Sequence, residues 1–131
     1  MAAAPILVVD DSASNRKLVC LTLLAAGHAV QAVEDAETAL ALLQEVRPRL
    51  ILLDLQLPGM DGLAFARLLR GDPRYADLRI VALTGDSGQI DERQALSSGC
   101  DGYLTKPIDT RDFAARVIAF LAPSPSPTEP T

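Results

Sequence analysis

The chain has 131 residues, of which 49% are hydrophobic and 4% aromatic, and its formal net charge is −5. This length fits one domain with a single core, which Leu, Val, Ile and Ala must fill because tryptophan is absent. The acidic balance argues against a surface built to bind nucleic acid. The sequence contains neither a signal-peptide pattern nor an apolar stretch long enough to span a membrane, so we expect a small cytoplasmic domain.

Two cysteines and one histidine are the candidates for redox or nucleophilic chemistry. Cys20 and Cys100 are far apart and match no metal-binding spacing, so we expect reduced thiols that pack in the core. His28 follows Gly27 at the start of a predicted strand and is expected at the surface or an edge. No Ser/His/Asp catalytic set can be assembled around this histidine.

The first half of the chain alternates short apolar runs with stretches of helical periodicity. Residues 5–9 predict a strand that ends at Asp10 and Asp11, and Ser12 or Ser14 can cap the helix that follows. The apolar residues of this first helix recur at Leu18, Leu21, Leu24 and Ala25.

A second strand and helix follow the same pattern. Gly27 suits the left-handed position at the end of the first helix, and residues 28–33 predict the strand. Asp35 can cap the second helix, and Pro48 stops it. The apolar face of this helix consists of Ala36, Ala39, Leu40 and Leu43.

The run at residues 50–53 is too short for a helix and leads directly into Asp54. A loop with Pro58, Gly59 and Gly62 follows it. A continuous apolar run bounded by turn residues predicts a strand buried on both faces, as in a parallel sheet. Asp54 then lies at the carboxyl end of that strand, where open α/β sheets bind their ligands.

The second half predicts a helix, a strand, a helix and a strand over residues 62–70, 79–83, 87–98 and 102–105. The inward-facing residues of the helix over 62–70 should be Phe65, Leu68 and Leu69. The helix over 87–98 is weakly amphipathic, with Ile90, Ala95 and Leu96 as its main apolar residues. We expect it to be the least firmly packed of the helices.

The last predicted helix has the clearest start signal. Asp109 can serve as its N-cap, with Ile108 and Phe113 forming a hydrophobic staple. One face of the helix carries Phe113, Val117 and Phe120. Residues 123–131 are dominated by Pro, Ser and Thr and predict a disordered tail or linker, which leaves a domain over residues 5–122.

Five strand-then-helix units predict an α/β fold, with a five-stranded parallel sheet and helices on both faces. We expect the flavodoxin-like strand order 2-1-3-4-5. Right-handed crossovers then place the carboxyl ends of all strands at one edge of the sheet. The residues that directly follow a strand should meet at this edge, namely Asp10, Asp11, Asp54, Thr84 and Lys106.

Three carboxylates in such proximity repel each other unless positive charge joins them. Lys106 supplies one positive charge and a divalent cation would supply the rest; a site with few oxygen ligands suits Mg²⁺ better than Ca²⁺. Each residue alone has a structural explanation, since Asp10 or Asp11 could begin a helix cap. Their combination at the strand ends favours a functional site. No glycine-rich phosphate loop follows the first strand, which argues against nucleotide binding.

The chain resembles the receiver domain of response regulators in two-component signalling, of the single-domain, CheY-like type, over about residues 5–121. The motifs that carry the resemblance are Asp10-Asp11, the segment from Asp54 through Leu57-Pro58-Gly59-Met60-Asp61-Gly62, Thr84-Gly85, and Tyr103-Leu104-Thr105-Lys106-Pro107.

This resemblance implies a signalling chemistry centred on one aspartate. Asp54 would accept a phosphoryl group from a phosphohistidine of a histidine kinase or phosphotransfer protein. Asp11, Asp54 and the main-chain carbonyl of Gln56 would ligate Mg²⁺, while Asp10 would act mainly through water.

The resemblance also assigns a switch. Thr84 and Lys106 would contact the phosphoryl oxygens, and Thr84 and Tyr103 would report phosphorylation to the surface. A downstream protein would read the face formed by helix four, strand five and helix five. Gly85 either gives a ligand access to Asp54 or only shapes the turn, and the peptide bond before Pro107 is expected to be cis.

We therefore expect a stand-alone receiver that signals by protein contact, a regulatory phosphoacceptor and not an enzyme. The receiver module of a hybrid histidine kinase stays open as an alternative, because the Pro-rich end could be a linker. A remote alternative is an aspartate-nucleophile phosphatase of the haloacid dehalogenase type. Those phosphatases resemble one another in an Asp-x-Asp motif after the first strand, whereas here Asp54 follows the third strand and Gln56 stands at the second position.

Overall fold

The computed structural model describes residues 4–55, 62–76, 78–84, 92–105 and 110–120. Strands and helices alternate along these residues. Their bounds are β1 (Ile6–Val9), α1 (Ala13–Ala25), β2 (Val30–Val33), α2 (Ala36–Leu43), β3 (Leu50–Asp54), α3 (Gly62–Arg70), a short 3-10 helix (Pro73–Tyr75), β4 (Arg79–Thr84), α4 (Glu92–Ser97), β5 (Gly102–Thr105) and α5 (Phe113–Ala119).

The five strands form one parallel sheet in the order β2-β1-β3-β4-β5, which confirms the predicted fold. β3 lies at the centre between β1 and β4. Val9, the last residue of β1, pairs with Leu53, and Asp54 pairs with Leu83 of β4. The register therefore brings the residues that follow β1 and β4 to the same edge as Asp54.

Two hydrophobic layers enclose the sheet, one on each face. Alternate strand residues point to opposite faces, so Leu52 belongs to one layer and Leu53 to the other. One layer packs the sheet against α1 and α5, and the other packs it against α2, α3 and α4. Burial on both faces explains why the central strand is a continuous apolar run rather than an alternating one.

Two helix starts follow the predicted capping chemistry. Ser12 is the N-cap of α1 and its hydroxyl accepts the Asn15 N–H at 3.2 Å. Asp35 is the N-cap of α2 and accepts the Thr38 N–H at 2.7 Å. Hydrogen bonding from Thr38 lowers the pKa of the Asp35 carboxyl below its usual value. Gly27, just beyond the end of α1, has a φ of +94°, as its assigned left-handed position requires.

The leucine spacing in α1 does not mark the face that packs on the sheet. Leu21 and Leu24 are 55% and 52% exposed, and Leu18 is also exposed, whereas Val19 and Leu23 are fully buried. This helix is apolar on two opposite faces, and a periodic pattern cannot tell which of two such faces meets the core. In α3, Leu68 was expected to face inward with Phe65 and Leu69 but is 48% exposed.

The start of α5 also differs from its prediction. The helix begins at Phe113 with Asp112 at the N-cap position, where the Asp112 side chain makes no capping hydrogen bond. Phe113 is buried while residues 110–112 form an exposed turn, so the helix starts at the first residue that the core covers. The predicted cap and staple residues Asp109 and Ile108 lie outside the described residues, as do the first part of the predicted helix over 87–98 and residues 123–131.

Both cysteines are free thiols; Cys100 is buried as expected, whereas Cys20 is half-buried. His28 lies half-buried before β2, where its Nδ1 is 3.1 Å from a guanidinium nitrogen of Arg49. Among the residues described, no helix combines the length and apolar character needed to cross a membrane.

Candidate functional site

Three carboxylates meet at the carboxyl edge of the sheet. Asp10 and Asp11 directly follow β1, and Asp54 ends β3 beside it. One carboxylate oxygen from each of these residues lies within 4.8 Å of the others. The neighbouring parallel strands thus bring together acids that are more than forty positions apart in the chain.

The burial of this acidic cluster, formed by Asp10, Asp11 and Asp54, makes its charge costly. Asp10 and Asp54 are 1% and 4% exposed, and Asp11 is exposed. At an effective dielectric constant of about 20, two like charges about 5 Å apart repel by about 3 kcal/mol. A cation bound between the carboxylates would remove this repulsion. The donor set is all oxygen and leaves one side open to solvent at Asp11, which fits Mg²⁺ with several retained waters.

Asp10 forms hydrogen bonds with residues at the start of α1 and with β2. Its Oδ1 accepts the Ser12 N–H at 2.9 Å, and its Oδ2 accepts a hydrogen bond from the Asn15 side-chain amide. Its main-chain carbonyl accepts a hydrogen bond from the Arg16 guanidinium at 2.7 Å, and its N–H donates to Val33 at 3.1 Å. Asp10 is therefore both a member of the acidic cluster and an anchor for the first turn of α1.

Thr84 ends β4 one residue beyond Leu83, the register partner of Asp54. Its side chain is 2% exposed. Tyr103 lies on the adjacent strand β5, opposite Ala82, and packs half-buried against the hydrophobic layer that faces α2, α3 and α4. Thr84 and Tyr103 thus lie on neighbouring strands near the same edge.

Gly62, which was expected from the sequence to shape the loop and cap the third helix, belongs to the same neighbourhood. A Cβ at this position would lie 2.7 Å from the main-chain oxygen of Asp54 and 2.5 Å from the Cα of Leu55. Its N–H donates to the Leu55 carbonyl at 3.2 Å. Only glycine allows the first turn of α3 to pack this closely on the end of β3.

Four of the predicted site residues lie outside the described residues, namely Gln56, Gly85, Lys106 and Pro107. Their predicted roles in metal ligation, access, phosphoryl contact and turn geometry stay predictions, as does the cis peptide bond.

Two residues that contact Asp10 were missed by the sequence reasoning, Asn15 and Arg16. Both lie in the first turns of α1, within six positions of Asp10. The available signal was their spacing, because residues that follow a strand end and open a helix can fold back onto that strand end.

Comparisons with known proteins agree with this geometry. A family model described as "Response regulator receiver domain" matches residues 6–118. The chain is 43% identical over 117 residues to the DNA-binding dual master transcriptional regulator RpaA of Synechocystis, covering 88% of this chain and 48% of that protein. It is 37% identical over 121 residues to the phosphate regulon transcriptional regulatory protein PhoB of Pseudomonas aeruginosa, covering 92% and 53%. The chain therefore spans about half the length of these curated relatives.

Solved structures give the same result. The chemotaxis response regulator CheY4 of Vibrio cholerae superposes with a TM-score of 0.82 at 30% identity, covering 91% of this chain and 99% of that one. The receiver domain of the sensor histidine kinase PA1611 from Pseudomonas aeruginosa superposes with a TM-score of 0.81 at 28% identity, covering 92% and 98%. The latter structure has a magnesium ion coordinated in its active site cleft.

Proposed function

The chain belongs to the response regulator receiver domain family, and from this premise we propose that Asp54 accepts a phosphoryl group from a phosphohistidine of a histidine kinase or phosphotransfer protein. In this step the bond between phosphorus and the histidine nitrogen breaks as a bond forms between phosphorus and a carboxylate oxygen of Asp54. The observation that carries the proposal is the acidic cluster, in which Asp54 is the member on the central strand.

The proposed roles of the surrounding residues are those that the family resemblance implies, and they suit phosphoryl transfer, which consists mainly of positioning and charge neutralisation. In the proposed site, Asp11, Asp54 and the main-chain carbonyl of Gln56 would hold Mg²⁺, and Asp10 would act mainly through water. Bound Mg²⁺ would supply positive charge to the phosphoryl oxygens. Lys106, which follows β5 in the sequence, supplies a second positive charge.

The proposed switch depends on the charge that phosphorylation adds, about −1.5 to −2 with three acceptor oxygens. The Thr84 hydroxyl hydrogen-bonds one of these oxygens, and Tyr103 changes its position in response. A downstream protein then reads the face formed by α4, β5 and α5. This arrangement makes the domain a regulatory phosphoacceptor that promotes its own phosphorylation and dephosphorylation.

A second candidate concerns what the receiver controls. The curated relatives are named as DNA-binding or transcriptional regulators and are about twice as long, which favours a receiver that controls an attached effector. The similarity to the receiver domain of a sensor histidine kinase favours a receiver module of a hybrid histidine kinase. The intact mass of the native polypeptide in its source cells distinguishes both from a stand-alone protein that signals by contact.

The phosphoacceptor is tested with a small phosphodonor such as acetyl phosphate and Mg²⁺, followed by intact mass spectrometry. We expect the wild-type chain to gain the mass of one phosphoryl group, and Asp54→Asn to gain none because an amide is not a nucleophile here. Asp112→Asn, which changes an exposed aspartate that is not a member of the acidic cluster, should label like the wild type.

Chelation of the metal with EDTA should prevent labelling of the wild-type chain. Labelling that persists in Asp54→Asn would move the acceptor to Asp10 or Asp11. Labelling that persists in EDTA would contradict the metal site.

A further inference from the structure

Asn15, in the first turn of α1, points its side-chain amide at the acidic cluster. The amide donates a hydrogen bond to Oδ2 of Asp10, and the Ser12 N–H donates to Oδ1. Both donors are uncharged, so they orient the carboxylate of Asp10 without cancelling its negative charge. Each also occupies only part of the acceptor capacity of its oxygen, since an ionised carboxylate has about four lone-pair sites.

We infer that Asn15 is a positioning residue that holds Asp10 in the orientation in which it serves the metal through water, and this inference rests on the proposed function. The Asn15 amide and the Ser12 N–H together set the direction in which the Asp10 carboxylate faces the other two acids of the cluster. Asp11 and Asp54 then supply the direct carboxylate ligands. Outer partners of this kind orient and tune metal ligands in many sites.

The backbone at Asp10 is fixed without Asn15. The Arg16 guanidinium donates to the Asp10 carbonyl at 2.7 Å, and the Asp10 N–H donates to the Val33 carbonyl at 3.1 Å. Loss of the Asn15 amide should therefore leave the end of β1 in place and remove one of the hydrogen bonds that orient the side chain of Asp10. This separation makes the inference testable by substitution.

A purely structural reading assigns Asn15 to the stability of the first turn of α1. The two interpretations predict different effects of Asn15 on metal affinity when the Asp10 carboxylate is removed. A residue that acts through Asp10 loses its effect on metal affinity when the Asp10 carboxylate is absent, whereas effects of independent residues add.

The test measures Mg²⁺ dissociation constants by NMR titration of the full chain for the wild type, Asn15→Leu, Asp10→Ala and the double variant. Leucine matches asparagine in size and has no N–H donor. We expect Asn15→Leu to weaken Mg²⁺ binding on the order of tenfold, at the lower end for the loss of an outer partner. In the Asp10→Ala background, Asn15→Leu should cause no further change. Ser14→Ala, one position earlier on an exposed side of the same turn, is the matched control and should bind like the wild type.

Wild-type affinity in Asn15→Leu, or an equal loss in both backgrounds, would overturn the role of Asn15 and leave the proposed function intact. A wild-type chain that binds no Mg²⁺ would overturn both. Circular dichroism checks folding, and if Asn15→Leu does not fold, Asn15→Ala replaces it with the same expected results.

Discussion

Cys100 shows how burial controls the chemistry of a single side chain. It is 6% exposed, and burial raises the pKa of its thiol to about 11 despite the opposing charge of Arg70. Cys20 is half-buried, and burial also raises its pKa, with Arg16 opposing. Because the thiolate is the reactive form, neither position has the environment of a reactive cysteine.

We predict that Cys100 resists alkylation at pH 9 while the chain is folded. The Cys20→Ser variant leaves Cys100 as the single thiol, and iodoacetamide should modify it slowly in buffer and rapidly in urea. Equal rates in the two conditions would contradict the burial of Cys100. Cys100→Ser, in which Cys20 is the thiol that remains, is the matched comparison and should react faster in buffer.

The raised pKa of Cys100 determines whether the free energy of unfolding rises or falls with pH. The folded chain keeps the Cys100 proton between the usual pKa of 9.0 and about 11, whereas the unfolded chain loses it in that range. This contribution to the free energy of unfolding is present below pH 9.0 and is lost as the pH rises towards about 11. The free energy of unfolding of Cys100→Ser should therefore fall less steeply over this range than that of the wild type.

At the scale of elements, Arg70 joins parts of the chain that lie apart in sequence. From the end of α3, its guanidinium donates to the main-chain oxygens of Gly99, Tyr75 and Ala76 at 2.7, 3.2 and 3.1 Å and pairs with Asp101. Gly99 has a φ of +107°, and a Cβ there would lie 2.3 Å from the Cγ of Arg70. The connection between α4 and β5 thus depends on a glycine that leaves room for this arginine.

We predict that Asp101→Ala lowers the free energy of unfolding by about 2 kcal/mol. The substitution removes the partner of Arg70 and also the acceptor of the Ile80 N–H at 2.8 Å. Urea unfolding measures the change, and Asp112→Ala is the control because the Asp112 side chain makes no capping bond. Equal stability of the two variants would show that the contacts of Asp101 contribute nothing beyond solvation.

At the scale of the whole molecule, the acidic cluster links metal binding to stability. Repulsion between Asp54 and the adjacent pair Asp10 and Asp11 acts on the folded state, because the unfolded chain separates Asp54 from that pair. An ion that binds only the folded state increases the free energy of unfolding. Once the ion concentration exceeds the dissociation constant, this increase grows with the logarithm of the concentration. The melting temperature should therefore rise with Mg²⁺.

We predict that the melting temperature of Asp11→Asn depends less on Mg²⁺ than that of the wild type. Removal of one charge should raise the melting temperature in EDTA and reduce the increase that Mg²⁺ causes. Differential scanning calorimetry with and without Mg²⁺ measures both, with Asp112→Asn as the charge-matched control outside the cluster. An Asp11→Asn variant that melts at the wild-type temperature in EDTA would contradict the repulsion.

The sequence by itself determined the sheet and the placing of the acids. Strands buried on both faces are continuous apolar runs, and right-handed crossovers leave one possible edge for Asp10, Asp11, Asp54 and Thr84. The parallel sheet and the meeting of distant carboxylates need only local pattern and crossover handedness, and the strand order was the flavodoxin-like one expected for such a sheet. The capping residues Ser12 and Asp35 are local in the same sense.

Only the tertiary structure decided which faces pack and which side chains support the site. Periodicity gives the spacing of apolar residues but not the side that meets the core, so the exposed Leu21 and Leu24 of α1 were not distinguished from the buried Leu23. The close approach of Gly62 to Asp54 depends on the distance between α3 and the end of β3. Such distances are set by the packing of helices on the sheet, which no single segment encodes.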